Sequence, residues 1–494
     1  MAKVSVNKTK RMTNRDKVSG KANGRNQHNE EIVDDRASSF SILTKRSEPA
    51  DREWMMSSND VMQVDRETGR TRKSVGRTRW WIVWTLFLST TINYISRQTF
   101  SVLSPTIASQ FHLTHTDLAK VVGAFQISYA LTWLIGGIFL DAVGSRIGLA
   151  VAVVGWSLVN ILMGLARSLS GFIAFRFLLG IGEGLNWPGA SKTVAEWFPN
   201  EERSVAVAIF DSGSSVGGAL AAIVIPWIAL AFGWRWSFVF SGGLGFVWLV
   251  AWWRVYRPLD SHPWVQREEV ALIRAGQQTP AQSETKGSRR WLGLLRNRNV
   301  WAIVLRRSLT DPVWWFYVFW LPQYLADNRG FDLKHIALFA WIPFVAADIG
   351  NFTGGFVSGY CIKRGISVMR ARLWVCAVSC VPMLAGIPAA RVGSATLAIA
   401  LICIALWGYA SWSTMGLTLP SDLLPQDVVA TVTGLSGLTA GLAGAGFTYA
   451  VGKTVDRFSY SPAFWASGLL PLVATASLFL LIRTTDPGSA NRRR

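Results

Sequence analysis

Two charged residues lie within a stretch that is otherwise apolar enough to sit in lipid. Residues 174–188 read AFRFLLGIGEGLNWP and contain Arg176 and Glu183. A third charge, Arg97, stands in an earlier apolar stretch, TINYISRQTFSVLSP. A charge inside a bilayer is costly, so charges in such surroundings are candidates for binding an ion or moving a proton.

The spacing of these charges limits how they pair. Arg176 and Glu183 are seven residues apart, which places them on one helix face about 10 Å from each other. Each therefore needs a partner on another helix or a ligand between them. A rise of about 1.5 Å per residue puts Arg97 and Arg176 at a similar depth. A guanidinium binds a carboxylate through two hydrogen bonds, so the set predicts a site for an anion and a proton. The alternative is a buried pair that only ties helices together, and Arg176 could also brace the fold.

Composition assigns these charges to membrane-spanning helices. Of the 494 residues, 50% are hydrophobic and 16% are charged, whereas soluble domains carry about 25% charged residues. Apolar runs recur, each long enough to cross a hydrocarbon core of about 30 Å. The twelve runs are residues 80–107, 118–140, 147–166, 171–195, 204–231, 236–256, 299–326, 336–361, 373–390, 395–419, 428–451 and 461–483.

The runs divide into two sets of six. We predict a disordered basic cytoplasmic tail at 1–79, an N-terminal six-helix half at 80–256, a cytoplasmic central loop at 257–298, a C-terminal six-helix half at 299–483 and a basic cytoplasmic tail at 484–494. Lys and Arg concentrate on the side that holds both tails and the central loop, which the positive-inside rule makes the cytoplasm. The sequence predicts a multi-pass protein of the inner (plasma) membrane. Its net charge of +20 does not indicate a nucleic-acid partner, because the basic residues lie mainly in the tails and loops.

Twelve spans in two halves are typical of the major facilitator superfamily, whose halves rock about a site at the bilayer midplane. We therefore predict an all-α membrane protein with twelve transmembrane helices in two pseudo-symmetric halves. The loop after the second run, GGIFLDAVGSRIG, resembles that superfamily's G-x-x-x-D-[RK]-x-G-[RK] motif. A carboxylate near a helix N-terminus is favourable. We predict that Asp141, with Gly137 and Arg146, latches one conformation by facing the start of the eleventh span. The alternative is a solvated loop acid.

No group of residues indicates a cofactor, a metal or a catalytic centre. The five histidines lie in the N-terminal tail or in loops, and the four cysteines lie in or beside apolar runs. Neither set has the spacing of metal ligands. We therefore expect no cofactor, no metal site and no enzymatic activity.

Several motifs resemble the anion:cation symporter family, and most of all its hexuronate (glucuronate/galacturonate) transporters. The motifs are NYISRQ, AFQISYA, FRFLLGIGEGLNWPGA, AEWFPNEERS, DPVWWFYVFWLPQYL and AADIGNFTGGF. Galactonate and glucarate carriers are similar, and members import organic anions with protons. The resemblance implies that Arg97 binds the substrate carboxylate, with Arg176 as a further cation of the site, and that Glu183 is the proton site. It implies a sugar pocket formed by Tyr94, Gln126 and Tyr129, with Ser214 and Trp412 as weaker candidates.

The sequence departs from that family at two positions. Ser96 stands where prokaryotic sugar-acid members carry an acid beside the arginine, and Asp211 stands where asparagine is expected. Asp348, in the eighth run, follows the family pattern. Asp211 and Asp348 are therefore candidates for a second proton site.

We predict a monomeric, proton-coupled symporter that imports a sugar acid, a hexuronate, by alternating access. Its partners are the sugar acid, protons and the lipid bilayer. Two alternatives stay open. A proton antiporter that exports organic compounds would have an apolar pocket and no need for Arg97. A membrane sensor of sugar acids would bind its ligand without transporting it.

Overall fold

The computed structural model describes residues 77–275, 294, 296–424 and 426–482. Within these ranges the chain is helical and contains no β-strand. Most of the predicted N-terminal tail, the segment 276–293 of the central loop and the predicted C-terminal tail lie outside the described residues.

Seven helices make up the N-terminal half. They are α1 (Thr78–Phe111), α2 (His115–Val143), α3 (Ser145–Met163), α4 (Leu169–Glu183), α5 (Asn186–Trp197), α6 (Asn200–Phe232) and α7 (Trp234–Val255). A 3-10 turn (Leu259–Ser261) and a short helix, α8 (Arg267–Ala275), follow in the central loop.

Eight helices make up the C-terminal half. They are α9 (Arg298–Arg329), α10 (Leu333–Phe339), α11 (Ile342–Lys363), α12 (Val368–Met383), α13 (Gly386–Ala389), α14 (Ala395–Leu423), α15 (Gln426–Arg457) and α16 (Ser461–Leu481). Each predicted apolar run coincides with one helix or with two consecutive helices. The pairs are α4 with α5, α10 with α11, and α12 with α13.

Apolarity is distributed unevenly over the spans. Among the described residues, seven spans are long and apolar enough to cross a membrane by composition, or eight if the two bent parts of α2 count as one. The others, α1, the α4–α5 pair, α9 and α15, carry more polar or charged residues. Because these helices pack against other helices near the centre of the bundle, their polar side chains are kept away from lipid.

The surface of the bundle is apolar and parts of its interior are polar. Phe352, Phe356 and Leu480 are 73%, 76% and 74% exposed. Asn93 and Gln126, by contrast, are fully buried. A soluble protein shows the opposite distribution, whereas lipid is a favourable solvent for exposed aromatic and aliphatic side chains. The described part of the chain is therefore a multi-pass membrane protein.

A close contact between α1 and α6 fixes the wall of the central site. A Cβ atom at Gly217 would lie 2.8 Å from the Cβ atom of Tyr94, so only glycine permits this approach. The stretch GSSVG (213–217) therefore brings two helix backbones together, as small residues do within membranes.

Among the described residues, the two halves meet chiefly along four helix pairs, α1 with α9, α2 with α15, α6 with α10, and α6 with α11. At the end of the bundle where α1 begins, Glu269 of α8 is fully buried and accepts hydrogen bonds from the backbone N–H groups of Thr78 and Arg79. A carboxylate is stabilised at the N-terminus of a helix. The central loop is thereby fastened to the first span.

Candidate functional site

A cavity of about 180 Å³ lies between the two halves. It is lined by α1, α2, α5 and α6 on one side and by α9, α11 and α14 on the other. The lining includes Tyr94, Arg97, Tyr129, Trp133, Trp187, Asp211, Ser214, Arg306, Arg307, Asp311, Trp314, Trp315, Asn351 and Tyr409. Its wall contains both aromatic rings and charged groups, which suits a ligand with both a carboxylate and a sugar ring.

Arg97 and Glu183 form a buried ion pair at this cavity. The Nε atom of Arg97 lies 3.0 Å from Oε2 of Glu183, and its Nη2 atom donates to Oδ1 of Asn93 at 3.0 Å. Both charged side chains are almost fully buried. The second carboxylate oxygen of Glu183, Oε1, is buried without a hydrogen-bond partner. The pair is therefore incompletely satisfied and has room for a further donor or proton.

Arg176 lies directly behind this pair. Its Nη2 atom donates to the backbone oxygen of Arg97 at 3.2 Å, so the two arginines are in direct contact. The Nε and Nη1 atoms of Arg176 are buried without partners. Its guanidinium packs over the rings of Phe100 and Phe125, at 4.7 and 5.3 Å. Arg176 does not line the cavity, so it acts on the site through the backbone of α1 and through its charge.

Aromatic rings fix the direction of the Arg97 guanidinium. Its Cζ atom lies 4.5 Å from the ring centre of Tyr94, 4.7 Å from that of Tyr129 and 5.9 Å from that of Trp315. Stacking of a guanidinium on ring faces leaves its edge free for in-plane hydrogen bonds. Trp315 comes from α9, so both halves contribute to the surroundings of Arg97.

The structure separates the predicted sugar-pocket residues into two groups. Tyr94, Tyr129 and Ser214 line the cavity together with Arg97. Gln126 is fully buried and both its amide atoms lack hydrogen-bond partners. Trp412 lies outside the cavity wall, with its indole N–H donating to the hydroxyl of Thr475 at 2.7 Å. Trp412 is thus a supporting residue in this arrangement.

The two predicted acids of a second proton site lie on opposite halves. Asp211 of α6 lines the cavity, and it interacts electrostatically with Asp348 of α11. Asp348 interacts with the side chains of Ser215 and Asn351. The hydroxyl of Ser96, at the position where an acid is absent, is buried without a partner. The role of the two acids as a proton site stays a prediction.

The predicted latch is paired within one half in this conformation. Asp141 is 75% exposed and its Oδ1 atom lies 2.6 Å from Nζ of Lys192. Arg146 donates to the backbone oxygen of Trp253 and packs over its ring at 4.6 Å. A Cβ atom at Gly137 would meet nothing within 4 Å. A contact of Asp141 with the start of α15 stays a prediction for another conformation.

Three charged residues of the cavity were not predicted. Arg306, Arg307 and Asp311 lie on α9, within the seventh apolar run. The signal was the same as for Arg97, namely charges inside an apolar stretch. It was missed because these residues stand near the start of the run, beside the basic central loop.

A polar cluster closes the other end of the bundle, where α1 ends and α2 begins. We call His115, Asp327 and Asp456 the distal cluster. The imidazole of His115 lies between two carboxylates of the opposite half, 2.8 Å from Oδ2 of Asp327 and 2.8 Å from Oδ1 of Asp456. The backbone N–H groups of His115 and Thr116 also donate to Asp456. Asp327 additionally accepts from Gln323 and from the hydroxyl of Tyr460.

The distal cluster predicts a pH dependence of closure at this end. Both ring nitrogens of His115 can donate to carboxylates only in the doubly protonated form, so alkaline conditions remove one contact between the halves. We expect His115→Ala to make the distal end open more often, by about tenfold or more, since a hydrogen bond to a charged group contributes about 1.5–3 kcal/mol. Reaction of an impermeant maleimide with a cysteine introduced at Ser101 measures the opening. Equal labelling of both proteins at every pH would show that the cluster does not hold the halves.

A helical bundle of two halves around a charged central cavity is the architecture of a membrane transporter. The chain belongs to the Major Facilitator Superfamily, whose family model matches residues 86–448.

Relatives with assigned names are similar over most of their length. The chain is 30% identical to the hexuronate transporter of Escherichia coli (strain K12), over 82% of this chain and 94% of that protein. It is 33% identical to the galacturonate transporter of Dickeya chrysanthemi, over 56% of this chain and 81% of that protein. It is 27% identical to an Escherichia coli (strain K12) protein named Probable galactarate/D-glucarate transporter, over 84% and 97%.

Solved structures share the fold. A bacterial homologue of the human lysosomal transporter Spinster, in an inward-facing and occupied conformation, matches with a TM-score of 0.66 and 18% identity. That match covers 83% of this chain and 97% of the other. The D-xylose–proton symporter matches with a TM-score of 0.61 and 14% identity, over 82% and 98%.

Proposed function

We propose that this protein is a proton-coupled symporter that imports a sugar acid of the hexuronate class by alternating access. The observation that carries the proposal is the buried, incompletely satisfied pair of Arg97 and Glu183 at the central cavity. Relatives named for hexuronate, galacturonate and galactarate or D-glucarate support a sugar acid as the substrate. The proposal includes a monomer in the inner membrane with both termini in the cytoplasm.

Coupling follows from competition for one guanidinium. While Glu183 is ionised it holds the Nε atom of Arg97. A proton on Glu183 removes the charge that pairs with Arg97, so the guanidinium becomes free to bind the carboxylate of the substrate. Loss of the proton on the other side restores the ion pair and expels the anion. Arg176 supplies a second positive charge that favours an anion at this depth.

The sugar portion is expected to lie between the two halves. Tyr94 and Tyr129 on one side and Trp314 and Trp315 on the other line the cavity. Aromatic faces stack well on the C–H faces of a sugar ring, and Ser214 and Asn351 supply hydrogen bonds for hydroxyl groups. Contacts from both halves let the substrate draw them together, as alternating access requires.

Uptake into proteoliposomes tests the proposal. We expect labelled glucuronate and galacturonate to enter faster, and to accumulate, when the inside is alkaline. Efflux of apolar compounds without sugar-acid uptake would support the proton antiporter. Specific binding of a sugar acid without any flux would support the membrane sensor. Either result would overturn the proposed symport.

The charge moved per cycle is predicted from Ser96. A serine cannot carry the proton that an acid would carry there, so one proton on Glu183 accompanies one monoanion and no net charge crosses. Moving one charge across 100 mV contributes about 2.3 kcal/mol, so the distinction is large. We expect hexuronate uptake at constant pH to be nearly unchanged by a valinomycin-imposed, inside-negative potential. Strong acceleration would instead reveal a second proton, with Asp211 or Asp348 as its carrier.

A further inference from the structure

The central cavity carries a buried cation on the C-terminal half, Arg306 of α9, that forms no ion pair within the described residues. Asp311, the acid that acts on it electrostatically, is paired with Arg307 instead. Arg306 is only 3% exposed, and its Nε atom is buried without a hydrogen-bond partner. Its guanidinium packs over the ring of Trp412, with Cζ 5.0 Å from the ring centre. A buried cation is strongly unfavourable unless an anion completes it, and because Arg306 lines the cavity, an anion that enters the cavity can do so.

The position of this guanidinium is fixed by shape. A Cβ atom at Gly416 of α14 would overlap the Nη1 atom of Arg306 and lie 2.6 Å from its Nη2 atom. The guanidinium therefore rests directly on the backbone of α14, beside the ring of Trp412. Glycine at position 416 therefore leaves room for the Arg306 guanidinium in the cavity wall, although no acid forms an ion pair with it there.

Ion pairing separates Arg306 from the other arginines that line the cavity. Arg97 pairs with Glu183, and on α9 Arg307 pairs with Asp311, with Nε 2.9 Å from Oδ2. Among the described residues, Arg306 is therefore the cavity-lining arginine that forms no ion pair.

The remaining acid of the cavity, Asp211 of α6, forms no ion pair with Arg306 within the described residues. Its electrostatic neighbour is Asp348 of the opposite half.

The two cationic positions, Arg97 and Arg306, belong to one cavity. The ring of Tyr129, which packs on Arg97, lies 6.1 Å from the ring of Trp133. Trp133 in turn packs on Arg307, the neighbour of Arg306, at 4.9 Å. A chain of aromatic rings therefore runs from one cationic position to the other, along which a sugar backbone can lie.

We propose that Arg306 forms a second anion subsite, which binds the far carboxylate of a dicarboxylic sugar acid while Arg97 binds the near one. This inference rests on the proposed function, because it takes Arg97 as the carboxylate anchor. A hexuronate has a carboxylate for Arg97 alone. A hexarate, with a carboxylate at each end of the same six-carbon chain, has one for Arg97 and one for Arg306. The cavity therefore prefers a dianion over a monoanion of equal length.

Competition measures this preference. Labelled glucuronate exchanges in proteoliposomes at pH 7, and unlabelled galactarate or galacturonate competes. We expect galactarate to compete at least about tenfold better than galacturonate. In Arg306→Gln, the affinity for galactarate should fall by about 10- to 100-fold, the effect of losing a hydrogen bond to a charged group. The affinity for galacturonate should change by less than about twofold.

Two further variants test whether the position of the Arg306 guanidinium matters and whether removing another positive charge has the same effect. Gly416→Ala keeps Arg306 but displaces its guanidinium, so it should reproduce the selective loss of galactarate binding. Arg370→Gln removes an exposed arginine of the same half and should leave both affinities unchanged.

Three results would overturn the proposal. If galactarate competes no better than galacturonate in the unmodified protein, the second subsite is absent while the proposed function stands. If Arg306→Gln weakens both sugar acids equally, the residue supports the fold and does not select the substrate. If neither acid is exchanged at all, the proposed function fails, and this inference fails with it.

Discussion

Replacement of Glu183 by glutamine is expected to abolish accumulation of sugar acid driven by a pH gradient and to leave exchange of substrate for substrate in place. Glutamine has the shape of the protonated acid but cannot release a proton, so Arg97 stays available for the anion in every state. Because there is no ionised carboxylate at position 183 to compete for Arg97, nothing expels the substrate on the side of the membrane where the proton concentration is low. We expect uphill uptake to fall at least about 100-fold, since coupling requires that the carrier group titrate. Counterflow of labelled hexuronate into preloaded proteoliposomes measures the retained exchange.

Asp211→Asn is the matched control for this experiment. It makes the same chemical change in an acid that lines the same cavity, and asparagine is the residue that the family resemblance leads one to expect there. We expect Asp211→Asn to keep accumulation driven by the pH gradient. If the asparagine variant loses accumulation while Glu183→Gln retains it, the two acids exchange their proposed roles.

Periodic and compositional features of the sequence predicted the spans well, because lipid imposes a simple rule. Backbone groups inside the bilayer must be hydrogen-bonded within the segment, so an apolar run of sufficient length has to be a helix. The breaks within spans were harder to predict. The fourth run is divided after Glu183, and α5 begins at Asn186. Pro188 lies just beyond that break, but a proline alone does not predict one, because Pro226 lies inside the unbroken helix α6.

The same rule explains which site residues could be found. Arg97, Arg176 and Glu183 stood out because each interrupts a long apolar stretch. Their direct contact could not be derived, since it depends on how α1 and α4 face each other. Residues separated by 86 positions, Arg97 and Glu183, meet through tertiary packing alone.

Predictions from family resemblance were less selective than the geometry. Tyr94 and Tyr129 lie on the cavity, whereas Trp412 lies behind its wall and supports Arg306. A sequence pattern records that an aromatic residue is present in a span but does not record which way its ring points. Arg306 was overlooked for a related reason, because charges near the start of a run look like part of the adjoining basic loop.

Replacement of Arg97 by lysine is expected to weaken substrate binding by about 10- to 100-fold while leaving the protein folded. Lysine keeps the positive charge, so the ion pair with Glu183 can persist, but it lacks the planar group that binds a carboxylate through two parallel hydrogen bonds. Loss of one hydrogen bond to a charged group contributes about 1.5–3 kcal/mol, and every 1.4 kcal/mol corresponds to about tenfold in affinity. The apparent affinity for galacturonate in the exchange assay measures the effect. Quenching of the fluorescence of Trp315, which lies next to Arg97, by the bound substrate is a second measurement.

Arg176→Lys distinguishes the anchor from its support. The change is chemically identical and lies at the same depth, but Arg176 contacts the backbone of Arg97 and does not line the cavity. Arg176→Lys should therefore lower the thermal stability of the protein more than it lowers the affinity for galacturonate. If Arg176→Lys weakens galacturonate binding as strongly as predicted for Arg97→Lys, and Arg97→Lys binds normally, then the substrate carboxylate reaches past the α1 wall to Arg176. The cavity would then have to open between Phe100 and Phe125, whose rings now cover that guanidinium.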